Sequence, residues 1–391
     1  MAKIKDAFLL DRKVIFLNHG SFGACPRPVF EAYQAWQRRL EAQPVLFLGR
    51  ELIELQRQAR QALGIYLHAA PDDLVFAPNA TYGVNIVARS LALKPGDEIL
   101  TSDHEYGACD NTWNFLCHKS GASYVRQSIP LPIQSPEVFF ERFWQGVTPR
   151  TKLIYLSHIT SPTAQYFPIE AICQQARQAG ILTLVDGAHA PGQIPLDLEA
   201  LGADFYTGNC HKWMLSPKGA GFLYARREAQ SLVEPLVVSW GYSADEKTTS
   251  GSRYIDLLQW SGTHEPAAAL SVPAAIQFMQ EHDWDEVRQG CHQLLRQALQ
   301  RIEALTGLPS AYPENQELTP LPPQMGVARL PRQRDLAAVK ARLYDEYRIE
   351  VPLVEWNEEH FMRISIQGYN SRSDVDALVQ ALAQILPSQT G

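Results

Sequence analysis

A carboxylate and an amine stand 26 residues apart in this chain, at Asp186 and Lys212, and each follows a short apolar run. The first run is Gly180-Ile181-Leu182-Thr183-Leu184-Val185, a composition suited to a strand in a sheet covered on both faces. The second is Ala203-Asp204-Phe205-Tyr206-Thr207, after which Gly208-Asn209-Cys210 is expected to turn the chain before His211-Lys212-Trp213. Both polar groups should therefore fall just past the carboxyl ends of strands, where open α/β sheets place their ligands. An amine there can condense with an aldehyde, and a carboxylate there can keep a pyridine nitrogen protonated. Together they meet the demands of pyridoxal phosphate. As an isolated pair, the same residues would more often be a structural ion pair, or a lysine facing solvent.

The surrounding residues favour the first reading. Leu184-Val185-Asp186-Gly187-Ala188-His189-Ala190-Pro191-Gly192, then Asn209-Cys210-His211-Lys212-Trp213 and Ser216-Pro217-Lys218-Gly219, resemble the core of class V aminotransferase-type enzymes, which are fold type I pyridoxal phosphate enzymes. The opening Leu17-Asn18-His19-Gly20-Ser21-Phe22-Gly23 and the segment Asp103-His104-Glu105-Tyr106-Gly107-Ala108 resemble most the isopenicillin N epimerase-like branch. The resemblance runs from about residue 14 to about residue 375 and is far more specific for cofactor and fold than for reaction.

The resemblance implies an α/β architecture: a fold type I large domain with a mostly parallel sheet and a smaller α+β C-terminal domain. It also implies the role of each site residue. Lys212 would carry pyridoxal 5'-phosphate and move protons at Cα, Asp186 would face the pyridine nitrogen, and His189 would lie near the phenolic oxygen. His211 would help to position the cofactor. Ala80 and Thr81 match the phosphate cradle, and Asn209 stands where related desulfurases carry a serine. Gly262-Thr263 resembles the part that a neighbouring subunit contributes, which implies a homodimer. Tyr106 falls where relatives place a ring over the cofactor face. Arg363 matches the clamp for a substrate carboxylate, with Tyr369-Asn370 following it, and Asn18 and His19 should form the other wall of the substrate site.

The residues themselves leave blander roles open for several of these. Pro78-Asn79-Ala80-Thr81 leads into a helical run whose free N–H groups would face an anion, yet Asn79 could simply be a cap. His189 could be a helix-start or core histidine, Tyr106 a half-buried strand-end residue, and Arg363 an exposed edge arginine. Arg50 and Tyr242 are weaker candidates for side-chain recognition. Trp240 and Trp260 could line the pocket or pack an interface.

The elements that must position these groups are legible in outline. Residues 1–20 are expected as an N-terminal segment at the substrate site, 21–265 as the large domain and 266–391 as the small one. Strand-like and helix-like runs alternate from about residue 60 to 230. Lys152 to Ser157 reads as a strand. A helix from near Pro168 follows, with Glu170 at its positive end and Gly180 as its stop, and its crossover should be right-handed. Val237 to Thr263 lacks periodicity and reads as an active-site or interface loop. Helices are expected over Ala267 to Met279 and Trp284 to Leu305, followed by the Pro-rich stretch Pro309 to Pro323. A strand over Gly326 to Leu330, a helix over Asp335 to Tyr347, a strand over Phe361 to Ile366 and a helix over Ser373 to Ile385 complete the small domain.

Composition narrows the function class. The chain has 391 residues, 46% hydrophobic and 20% charged, as in an ordinary globular protein. A net charge of −7 argues against a dedicated nucleic-acid binder. No apolar stretch approaches a membrane span or a secretory signal. The six cysteines lack CxxC spacing and read as reduced thiols of a cytoplasmic protein. His104, His189, Cys210 and His211 form no recognisable metal frame, and neither a Walker A loop nor a GxGxxG after a strand is present.

The expected substrate is a small amino acid or amino-acid-like compound. A cysteine desulfurase would need a nucleophilic cysteine on a small-domain loop. Pro313 to Leu330 has none, and Cys291 lies in a helical run. Epimerisation, C–S bond elimination and transamination remain, with the resemblance leaning to the first. A non-catalytic protein retaining the fold is disfavoured, since lysine, acid and cradle are all present.

Overall fold

The computed structural model describes residues 2–243, 250–313 and 323–386. Seven strands form its central sheet: β1 (Leu74–Ala77), β2 (Glu98–Ser102), β3 (Ser123–Gln127), β4 (Thr151–Ser157), β5 (Leu182–Gly187), β6 (Phe205–Asn209) and β7 (Gly221–Ala225). Their order is β1-β7-β6-β5-β4-β2-β3. Every neighbouring pair is parallel except the two that involve β7, so β7 alone runs against the rest. β1, β2, β6 and β7 are buried along their whole length, as strands packed on both faces must be.

The strand–helix–strand unit read around Gly180 is present. The helix spans Glu170–Ala179, and Gly180, at φ 69°, closes it by donating its N–H to Ala176 and Arg177. One expected turn is absent: Gly208 and Asn209 continue β6, paired with Phe222 and Gly221 of the antiparallel β7. Gly208 serves close packing there, because a Cβ would stand 2.6 Å from a ring carbon of Phe222.

The segment expected to be irregular carries a helix at Arg253–Gln259, whose cap is Ser252: its side chain accepts the Ile255 N–H. Residues 244–249 of that segment, and 314–322 of the Pro-rich stretch, lie outside the described residues. The expected helix over Ala267 to Met279 divides at Ser271 into Ala267–Leu270 and Val272–Glu281, with Pro273 in the first turn of the second. Val272–Glu281 packs against the helices Arg27–Ala42 and Leu52–Leu67.

The small layer holds an antiparallel sheet ordered β9-β10-β8, with β8 (Met325–Leu330), β9 (Leu353–Trp356) and β10 (Glu359–Ser365). Strand β9 escaped the sequence reading. Its hairpin turns at Asn357 and Glu358, both at positive φ, without the glycine that usually marks such a turn. The N-terminal segment is stitched to this layer: Ile15 and Phe16 pair with Ile349 and Glu350, and Asn18 bridges to Ser365. The chain start thus reaches the strand that carries Arg363.

Candidate active site

Lys212 lies in the turn that follows β6, and its Nζ is 3.1 Å from His189 Nε2. Burial and then the Arg363 guanidinium lower its pKa to about 8, while Asp186 pulls the other way. The backbone beneath it is braced from the chain start. His19 lies with Nε2 3.0 Å from the Lys212 carbonyl and Nδ1 2.9 Å from the Tyr369 hydroxyl. Both its nitrogens are therefore engaged, and burial lowers its pKa to about 3. The structure places His19 as a neutral strut under the lysine, not as an open wall for substrate. Gly23, at φ 70°, passes so close that a Cβ would overlap the His211 carbonyl.

Asp186, near the end of β5, is 3% exposed. One carboxylate oxygen accepts the Ala188 N–H at 2.8 Å, and the other accepts the Tyr155 hydroxyl at 3.1 Å and the Cys109 thiol at 3.7 Å. Burial raises its pKa, and these donors together with Lys212 oppose the rise. Behind it, Glu105 accepts from the Ser102 hydroxyl, the Ser157 N–H and the Ser157 hydroxyl. Burial, with a further contribution from Asp186, lifts Glu105 to about 8.

The helix Ala80–Ser90 presents its N-terminus to the end of β6. Asn79 caps it by accepting the Tyr82 N–H at 2.9 Å, and Asn209 accepts the Ala80 N–H at 2.8 Å. The Asn209 side-chain oxygen is thus occupied by the helix, which leaves its amide NH₂ as the group for an anion. Gly83 lets the helix sit directly on β6, since a Cβ would overlap the Thr207 hydroxyl. No described residue takes the Thr81 N–H, the amide expected in the cradle. His211 donates from Nδ1 to the Ala220 carbonyl at 2.9 Å, and burial lowers its pKa to about 4.

Arg363 is 6% exposed, not an edge arginine. It donates to the Ser161 carbonyl at 2.5 Å, to the Ser161 hydroxyl at 3.1 Å and to the Ser21 hydroxyl at 3.0 Å. No carboxylate among the described residues pairs with it, and its buried Nε has no partner. Asn18 acts on it at one remove: Ser21 donates to Asn18 at 2.5 Å, and Asn18 donates to Glu350 at 3.0 Å. Tyr106 is 47% exposed at the start of the helix Gly107–Ser120.

Thr263 is exposed, and no described residue of its own chain ties it to the cradle. Arg50, Trp240 and Tyr242 are exposed as well, and Trp260 rests half-buried against His264. Sequence reasoning missed Ser21 and Ser161, which hold Arg363, and Tyr155 and Cys109, which hold Asp186. Ser161 had a usable signal, because it follows the carboxyl end of β4.

These residues fit pyridoxal phosphate: a buried amine of lowered pKa, a buried carboxylate held by three donors, an anion-facing helix start and a guanidinium without a counter-charge. No cluster of three or more metal-ligating side chains occurs among the described residues.

The aminotransferase class-V family profile matches residues 15–378. Isopenicillin N epimerase of Amycolatopsis lactamdurans is 36% identical, over 98% of each chain, and that of Streptomyces clavuligerus is 34% identical, over 96% of this chain and 95% of its own. A putative L-cysteine desulfhydrase of Oryza sativa subsp. japonica is 26% identical over 96% of this chain and 85% of its own. Among solved structures, the cysteine desulfurase CsdA of Escherichia coli superposes with a TM-score of 0.77 at 22% identity, over 98% of both chains. With profile, near full-length relatives, fold and site in agreement, this chain belongs to the aminotransferase class-V family and is a fold type I, pyridoxal 5'-phosphate-dependent enzyme.

Proposed function

We propose that this enzyme works at Cα of an amino acid or amino-acid-like substrate, removing and returning the α-proton as an isopenicillin N epimerase-like catalyst. The observation that carries the reading is Arg363: a buried guanidinium with a partnerless Nε and no carboxylate of its own, within electrostatic reach of Lys212. A substrate carboxylate supplies the missing counter-charge and fixes Cα over the lysine. When bound, the cofactor supplies an electron sink for the pair left at Cα. Asp186 holds the proton on the pyridine nitrogen. The Lys212 amine, with its pKa lowered to about 8, has a neutral fraction near physiological pH that can take the α-proton from its own face, and inversion follows when a proton is returned to the opposite face. The two epimerases at 36% and 34% identity over nearly the whole chain support the choice of reaction.

Elimination is the second reading, and the desulfhydrase relatives at 26–28% identity favour it. A persulfide-forming desulfurase reaction is not supported. Five of the six cysteines are buried, and Cys25 and Cys291 are each pushed up to about 12 by burial, so no exposed thiolate stands ready to take sulfur. The proposal includes a homodimer in which Thr263 completes the neighbour's phosphate cradle. Its exposure, without a cradle contact in its own chain, is consistent with that. No described helix is long and apolar enough to cross a membrane.

Incubation in D₂O with isopenicillin N, L-amino acids and cysteine conjugates separates the reactions. Deuterium at Cα together with inversion there is the expected result, read as loss of optical activity for a simple amino acid and as a second diastereomer for isopenicillin N. Pyruvate with sulfide or a thiol, without racemised substrate, would replace epimerisation by elimination. A keto acid with the aminated cofactor would mean transamination.

A further inference from the structure

Trp213 follows Lys212 and is fully buried, yet neither the proton chemistry nor the carboxylate clamp uses it. Its indole Nε1–H points to His189 Nδ1 across 3.3 Å. An indole nitrogen donates and never accepts, so Nδ1 must offer a lone pair. Burial, with the positive charges of Lys212 and Arg363 added, holds His189 well below its ordinary pKa. A neutral imidazole whose Nδ1 accepts carries its single proton on Nε2. That is the atom 3.1 Å from Lys212 Nζ.

We propose that Trp213 is a positioning residue that locks His189 in its Nε2–H tautomer, so that the site presents a donor, not a lone pair, beside the Lys212 amine. The inference rests on the reading of Lys212 as the cofactor lysine. An ammonium group has three donors and no acceptor, so a donor facing Nζ suits only the neutral amine. The lock thereby acts in the same sense as burial and Arg363. With the cofactor carried at Lys212, the same N–H favours negative charge on an oxygen placed beside it. The opposite tautomer would aim two N–H groups at each other in a buried pocket.

The indole has little freedom to escape this duty. The His19 ring lies 4.9 Å from it, a Cβ on Gly20 would touch its ring at 3.4 Å, and Gly192 is pressed against its backbone.

The lock can be read by ¹⁵N NMR of cofactor-free protein labelled at histidine, with the His189 signals identified by their loss in His189→Gln. The expected wild-type pattern is a protonated, pyrrole-type Nε2 and an unprotonated, pyridine-type Nδ1. Trp213→Phe should give averaged shifts from mixed tautomers. In the holoenzyme, Trp213→Phe should raise the pH midpoint of the bound cofactor's visible absorbance by about half a unit or more, and should leave it unmoved in a His189→Gln background. If the Phe variant fails to fold, replacement of Trp213 by its sulfur isostere, benzothienylalanine, removes the N–H and keeps the shape. A pyrrole-type Nδ1 in the wild type overturns the proposal, as does an unchanged tautomer and midpoint without the indole N–H. Absence of any visible band in wild-type protein given cofactor would instead defeat the Lys212 reading, since the tautomer is measured without cofactor.

Discussion

Lys212 sits where burial and a nearby guanidinium both act against its positive charge, and the direction of that shift sets a pH dependence. Its pKa falls from 10.5 to about 8, so the amine of the cofactor-free enzyme should become reactive toward the cofactor aldehyde as pH rises through about 8. Initial rates of reconstitution between pH 6 and 10 would show this. A midpoint above 10 would mean an exposed lysine. The same shift has a stability consequence. Below about 8 the folded protein must carry a buried charge, and this cost is present in full. Between there and 10.5 the unfolded chain holds the proton and the folded one does not, so the cofactor-free protein should gain stability with rising pH across that window. Arg363 makes a separate prediction. Arg363→Leu should raise KM for a carboxylate substrate roughly 10- to 100-fold, as loss of charged hydrogen bonds does, and leave cofactor affinity unchanged. Ser21→Ala removes one orienting bond and should cost about fivefold. Equal losses of substrate and cofactor binding in Arg363→Leu would mark the arginine as structural.

At the scale of elements, the helix Ala80–Ser90 is held to β6 by Asn209 on its first amide, by the Thr207 hydroxyl on the Ala80 carbonyl at 3.4 Å and by the close approach of Gly83 to Thr207. The cradle is therefore as precise as that docking. Gly83→Ala has no room for its methyl without moving the helix start, so cofactor dissociation should speed up and Kd should rise by at least about tenfold. Fluorescence titration of the cofactor-free variant would measure it, and an unchanged Kd would mean that the cradle tolerates a shifted helix. The sequence made the helix readable through Asn79 and its apolar spacing. Gly83 gave no such signal, because its purpose is an approach to Thr207, 124 residues away. The hairpin of β9 and β10 shows the same limit: Asn357 tolerates positive φ, but Glu358 is an unusual residue there. Trp356 donates to the Asp103 carbonyl at 2.7 Å and Asn357 donates to the Asp103 carboxylate at 3.1 Å, so the turn is held by a partner that local propensity cannot reveal.

Across the whole molecule, the site draws on the chain start, the central sheet and the small layer at once. His19, Lys212 and Tyr369 form one hydrogen-bonded line, and Asn18, Ser21 and Arg363 form another. Dimerisation would add Thr263 of a second copy. Hybrids test this directly: Lys212→Ala lacks the lysine, and Thr263→Glu places a like charge against the phosphate. If Thr263 serves the neighbouring site, a mixed dimer of these two weakly active parents contains one intact site and should regain up to about half the wild-type activity per dimer. A hybrid no more active than its parents would place Thr263 at its own site or at none.

Asp186 and Lys212 were legible because each closes an apolar strand, and strand ends of an open sheet are where such chemistry must lie. The alternation of runs was enough for the sheet, and the motif segments were enough for the cofactor. Tertiary structure alone decided what each neighbour does. His19 and Trp213 are both aromatic residues next to chemistry, yet one braces the Lys212 carbonyl and the other faces His189. Asn18 reaches Arg363 only through Ser21, and Asp186 is held by Tyr155 and Cys109 from other elements. Backbone pattern is set by local sequence, but the protonation and orientation of a buried group depend on donors brought to it across hundreds of residues.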